Sequence, residues 1–199
     1  NDIELENVNP ITTKIASFDG NNRVISIKGF AVGANKTEYG LFANIGTYSY
    51  KDKQTEQTIE KQTILKNVIV DYSKFEGTLA ANNSNETTVT FGGLVATNNG
   101  GLIYNCDVIN LNASIDASVD IIVDNTANVV VGGLVGTSSN CKLQHNVLEG
   151  VEISSSKEFE GVSISTYKKY VSELKIGKSN SSFEEFTTFN STSNLDVVD

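Results

Sequence analysis

His145, Cys106, Cys141 and a scatter of acids are the side chains in this 199-residue chain that could do chemistry. His145 is the only histidine, so a zinc site built on paired histidines is excluded. The sequence reads it as a polar residue at a corner. Cys106 lies one repeat before it in a roughly matching position, as a thiol nucleophile and its base would. A small buried hydrophobe in an internal column is the simpler reading of Cys106. A Ser–His–Asp set needs only convergence in space, yet no serine here sits in a nucleophile turn. Asp107, Asp116, Asp120 and Asp124 could converge as calcium ligands or as an acid/base pair. A lyase also needs a grouped basic residue, and Arg23 is the only arginine among scattered lysines; a solvated acidic face is the simpler reading. Gly92-Gly93 and Gly100-Gly101 precede neither Lys-Ser/Thr nor a helix start, so corners fit them better than a phosphate cradle. Tyr48 and Tyr50 could stack on sugar rings or pin their own segment to the protein. No residue is assigned as catalytic, cofactor-binding or metal-binding. No cofactor is expected, and the chain reads as a non-enzyme.

The elements that would position these residues show in a repeat. Gly92 to Cys106 reads GGLVATNNGGLIYNC, and Gly132 to Asn140 returns as GGLVGTSSN with Leu143 following; Tyr39 to Gly46 is a fainter copy. Each copy is a glycine pair or hinge, an apolar run, a polar turn and a second apolar run. Chains that wind in stacked coils read this way. Stacking would place Leu41, Leu94 and Leu134 in one internal column and Ile103 with Leu143 in another, with glycines at corners that need tight turns or positive φ. Aligned on their glycines, Cys106 and Cys141 fall about five positions out of register. At roughly 3.3 Å per residue that exceeds the Cα separation a disulfide tolerates, so two thiols are expected.

Composition agrees with strands. The chain is 39% hydrophobic, with one proline and no methionine or tryptophan, and is rich in Asn, Ser, Thr, Gly, Val and Ile. Such usage favours strands joined by polar turns. A net charge of −9 argues against nucleic acid, whose phosphates call for Lys and Arg, and against docking on an anionic membrane. No run approaches the roughly 20 apolar residues of a membrane span. Six Asn-X-Ser/Thr sites, at Asn35, Asn82, Asn85, Asn112, Asn180 and Asn190, are close to what chance delivers here. The absence of an initial methionine or leader suggests either a processed chain or part of a longer polypeptide.

In chain order, Ile3 to Pro10 reads as an edge strand or a lead-in. Asp19 to Asn22 reads as a turn before a strand at Val24 to Ile27, and Ile64 to Tyr72 as another strand. Residues 47–62, 79–87 and 116–128 read as polar excursions, the first a projecting loop. The division expected is 1–153 as coils and 154–199 as a cap or linker packed on the last coil. A short amphipathic helix is placed at Tyr167 to Leu174.

The order FDGNNRVIS (18–26), GLFANIG (40–46), LKNVIV (65–70) and then Gly92 to Cys106 resembles GLUG-motif β-helix modules. These occur in bacterial surface and secreted proteins, including adhesins and the non-catalytic regions of immunoglobulin A1-cleaving metallopeptidases. The likeness covers about Phe18 to Ile153. The chain departs from the motif at Ala96, where glycine is usual, and at Ser138 to Asn146, where the second Gly-Gly and the Asn-Cys pair are missing. The resemblance implies an all-β, right-handed parallel β-helix of about four irregular coils with projecting loops. It implies a non-enzymatic stalk, adhesin or binding surface for a host glycan or protein, extracellular or on a cell surface. The alternatives are a carbohydrate-active β-helix enzyme, on fold analogy alone, and a self-assembling structural surface protein.

Overall fold

The computed structural model describes residues 2–31, 36–79, 88–114, 121–123, 128–154, 176–179 and 184–190. Among them every regular element is a strand, so the protein is all-β. The first sheet stacks β1 (Ile3–Leu5), β2 (Ser17–Ile27), β6 (Ile64–Asp71), β10 (Leu102–Tyr104) with β11 (Asp107–Ile109), β16 (Lys142–Glu149) and β19 (Glu184–Asn190). The second holds β3 (Glu38–Tyr39), β8 (Thr88–Gly92) and β14 (Asn128–Gly132). The third runs β5 (Thr58–Gln62), β4 (Phe42–Lys51), β9 (Val95–Asn99), β15 (Val135–Ser139) and β18 (Ile176–Ser179). The fourth runs β7 (Gly77–Leu79), β13 (Ile121–Val123), β12 (Asn112–Ser114) and β17 (Glu152–Ser154). Among the described strands all pairings are parallel except that of β4 with β5.

Between β6 and β16 the chain twice passes from the first sheet to the fourth, second and third, and then back to the first. Each pass lays its apolar positions on those of the previous one. Leu65, Ile103 and Leu143 share one register position, and Ile25, Val70, Val108 and Leu148 share another. Phe42, Val95 and Val135 form a third column. Leu41, Leu94 and Leu134 come just before it, linked where Phe42 N donates to Leu94 O and Leu94 N to Leu134 O. All these side chains are buried. Fully burying a Leu or Val is worth about 1.5–3 kcal/mol, and here the benefit depends on the neighbouring pass. The expected leucine column and the Ile103–Leu143 pair are therefore present. Phe30, Tyr39, Tyr72, Phe75 and Phe91 pack as a buried aromatic group. Within it Tyr72 Oη donates to Gly93 O over 2.7 Å.

Three expectations need correction. The corners with positive φ belong mainly to asparagine. Asn67, Asn105 and His145 take φ of 54°, 51° and 56° at one register position, and Asn140 takes 49° beside Gly100 at 88°. Asparagine tolerates this region because its short amide bonds locally. Gly93 answers instead to close approach, since an added Cβ would collide with the Gly133 carbonyl oxygen. Second, the strand at Val24 to Ile27 is present, but Asp19 to Asn22 is not a turn ahead of it; it is a bulge within the same strand, β2, with the register shifting between Asp19 and Arg23. Third, residues 47–62 are a β-hairpin rather than a loop, because their alternating Thr, Tyr and Ile suit a ladder.

The fourth sheet breaks chain order. β13 follows β12 in sequence yet lies between β7 and β12, with Ile121 facing Gly77 on one side and Ala113 on the other. Within 154–199, β18 and β19 extend the third and first sheets beside β15 and β16. The helix expected at 167–174, all but the first residue of the excursion at 79–87 and most of 116–128 lie outside the described residues.

Candidate binding surface

The hairpin begins where β4 parts from β9. Gly46 is the last β4 residue facing that strand, and Thr47 to Lys51 then pair antiparallel with Gln62 to Thr58. Asp52 closes the turn, its Oδ1 accepting from Gln54 N and Thr55 N at 2.8 Å and from Thr55 Oγ1 at 3.1 Å. These donors, led by the Thr55 amide, hold the Asp52 carboxyl below its usual range. At the base, Gln62 Nε2 donates to Gly100 O (3.1 Å), Thr63 N to Gly46 O (2.7 Å) and Thr63 Oγ1 to Ile15 O (2.9 Å). The projection is thus closed at its tip and anchored at its base.

Residues two apart on a strand share a face, so Tyr48 and Tyr50 stand together. Their ring centroids are 6.4 Å apart and their planes 24° from parallel. Tyr50 is 44% exposed. Lys61 stands opposite Tyr48 and Ile59 opposite Tyr50; the tyrosines are legible in the sequence, but these two cross-strand neighbours are not. The signal for the pairing is the alternation Tyr-Ser-Tyr and Ile-Glu-Lys on either side of an Asp-capped turn. The hairpin's three lysines (51, 53, 61) balance its three acids (52, 56, 60).

The other candidate residues that the structure describes do not assemble into a site. His145 is exposed at its corner, packed edge-on against Tyr104 at 5.5 Å and 87°. Cys106 is buried, and burial pushes its thiol up to about 12. In register His145 follows Gln144 as Asn105 follows Tyr104. Cys106 is therefore opposite Asn146, which is buried, so the thiol and the imidazole point to opposite sides of the sheet. Cys141 is also buried and five positions out of register with Cys106; no disulfide joins them. Asp107 sits between Ile69 and Val147 on adjacent strands. Burial raises its carboxyl pKa, and Glu149 adds to the rise. Asp116, Asp120 and Asp124 lie outside the described residues. Among the described residues no three His, Cys, Asp or Glu side chains are grouped to hold a metal ion. Among the described residues there is no helix long and apolar enough to cross a membrane.

One polar constellation does form, along the corner column. Asp19 accepts from Asn67 Nδ2 and Asn21 N, each at 2.9 Å, and pairs with Lys66 at 3.1 Å. Asn105 Nδ2 in turn donates to Asn67 Oδ1 at 2.8 Å. The Asn67 bond contributes most to holding the Asp19 carboxyl down at about 2. Every group here is satisfied by a neighbour, so the constellation fastens one pass to the next. Comparison with protein-family models, with curated proteins and with solved structures finds no match to this chain.

Proposed function

We propose that the chain is a right-handed parallel β-helix module of a larger secreted or cell-surface protein, serving as a stalk and a binding surface without catalysis of its own. The observation that carries this is the division of labour between repeat and projection. The glycines, leucines and asparagines of the repeat are spent on close approach, core columns and corners. The tyrosine pair, Tyr50 exposed and Tyr48 half-buried, stands outside them, on a hairpin anchored at its base. The GLUG-like order of Phe18 to Ile153 supports the same reading. The partner expected is an extracellular glycan or protein, and the charge of −9 argues against nucleic acid.

A carbohydrate-active enzyme is the second reading, favoured by Asp107, whose raised pKa suits a general acid. One experiment separates them. The purified chain is displayed to glycan and host-protein arrays, and is also incubated with neutral and acidic polysaccharides while new reducing ends and unsaturated products are followed. Binding without turnover is expected. Turnover that Asp107→Asn abolishes would establish the enzyme and remove the stalk reading.

A further inference from the structure

We infer that the Tyr48–Tyr50 face of the hairpin is a stacking platform for a neutral saccharide chain, an inference that rests on the binding-surface reading above. Two planar rings 6.4 Å apart and 24° from parallel repeat at close to the spacing of alternate residues on a strand. The platform therefore presents similarly oriented rings to successive units of a linear ligand. A pyranose offers a C–H-lined apolar face to an aromatic ring and hydroxyls at its rim. Ile59 and Lys61, opposite the tyrosines, supply apolar contact and a hydrogen-bond donor at that rim. The antiparallel ladder and the Gln62 and Thr63 anchors fix the backbone that carries the rings before binding, which lowers the ordering cost of a weak, shallow contact.

Charge selects the class of sugar. The hairpin's lysines and acids cancel, whereas the whole chain carries −9. An anionic glycan meets no basic cluster at the platform and a repelling field around it, while a neutral one meets neither obstacle.

The test uses the full chain with neutral hexaoses of glucose, xylose, galactose, mannose and N-acetylglucosamine, and with an oligogalacturonate of the same length. Binding is followed by calorimetry and by tyrosine difference absorbance, which the absence of tryptophan leaves unobscured. At least one neutral hexaose is expected to bind. Affinity should fall about tenfold in Tyr48→Ala/Tyr50→Ala, the order of one aromatic contact. Tyr48→Phe/Tyr50→Phe should keep most of it, because the rings remain. Tyr104→Ala is the control, removing an exposed tyrosine elsewhere that is 40% exposed, and should leave binding unchanged. Circular dichroism and urea midpoints confirm that each variant is folded. The inference is overturned if the folded chain binds no neutral hexaose, if it prefers the anionic one, or if the double alanine variant binds like the parent. Capture of a protein ligand, or of a glycan elsewhere on the chain, would overturn the platform and leave the surface-module reading standing; turnover would instead remove that reading.

Discussion

Residues 92–109 and 132–149 make the same pass through three sheets, and their likeness is strongest at the inward positions. Leu94, Val95, Ile103 and Val108 have the counterparts Leu134, Val135, Leu143 and Leu148, all buried. At the corners Asn98 becomes Ser138, Asn105 becomes His145 and Cys106 becomes Asn146. The first pass caps itself, with Gly101 N donating to Asn98 Oδ1 (2.7 Å) and Asn98 Nδ2 donating to Gly101 O (3.3 Å). The Ser138 hydroxyl is too short to do the same, and its Oγ is buried without a partner. Asn146 instead reaches back to the first pass, accepting from Cys106 N at 3.0 Å and donating to Ile103 O at 3.1 Å. The backbone path is thus set by columns and close approaches, while each corner is solved by whichever side chain is at hand.

The sharpest way to break this likeness is Gly93→Ala. The new Cβ would meet the Gly133 carbonyl oxygen, and a loss of at least about 3 kcal/mol is expected in urea unfolding. A smaller loss would mean that the two passes can part. Asn146→Ala comes next, at about 2–4 kcal/mol, because it leaves a buried N–H and a buried C=O without their amide partner. If its cost is no more than that of Ser138→Ala, the back-reaching cap is unimportant. Ser138→Asn should restore the cap of the first pass and gain about 1 kcal/mol; a loss would show that the second corner has no room for the amide.

Acid provides a gentler probe of the corner column. The Asp19 carboxyl lies at about 2 in the folded chain, below its unfolded value of about 3.9. Its contribution is therefore fully present above the unfolded value and is lost as pH falls towards about 2. Asp19→Asn should flatten the fall in stability over that window, and an unchanged slope would show that the ladder does not sense the charge. Smallest of all, His145→Asn should change stability by less than about 0.5 kcal/mol, since both residues are enriched at positive φ.

Much of this architecture is legible in the sequence because columns repeat residue types: Leu94 with Leu134 and Ile103 with Leu143 can be paired by eye. The hairpin is harder to read. Its residues bury little, so hydrophobic content marks a loop while the Tyr-Ser-Tyr alternation marks a strand. The asparagine corners escape for a different reason. Asparagine abounds in this chain, and only the register shows that Asn67, Asn105 and His145 occupy one place. Nothing local marks the Asp107 environment, which is made by Ile69 and Val147 from neighbouring passes.

β13 imposes a schedule on assembly. It separates β7 from β12, although it is the last of the three to leave a ribosome. The first and second sheets can add strands as they are made, but the fourth has to keep a place open until residues 121–123 arrive. A chain halted after Ser114 would hold β12 with neither β13 nor β17 to pair with, its backbone donors and acceptors unmatched on both edges. Synthesis of those few later residues is what closes the sheet.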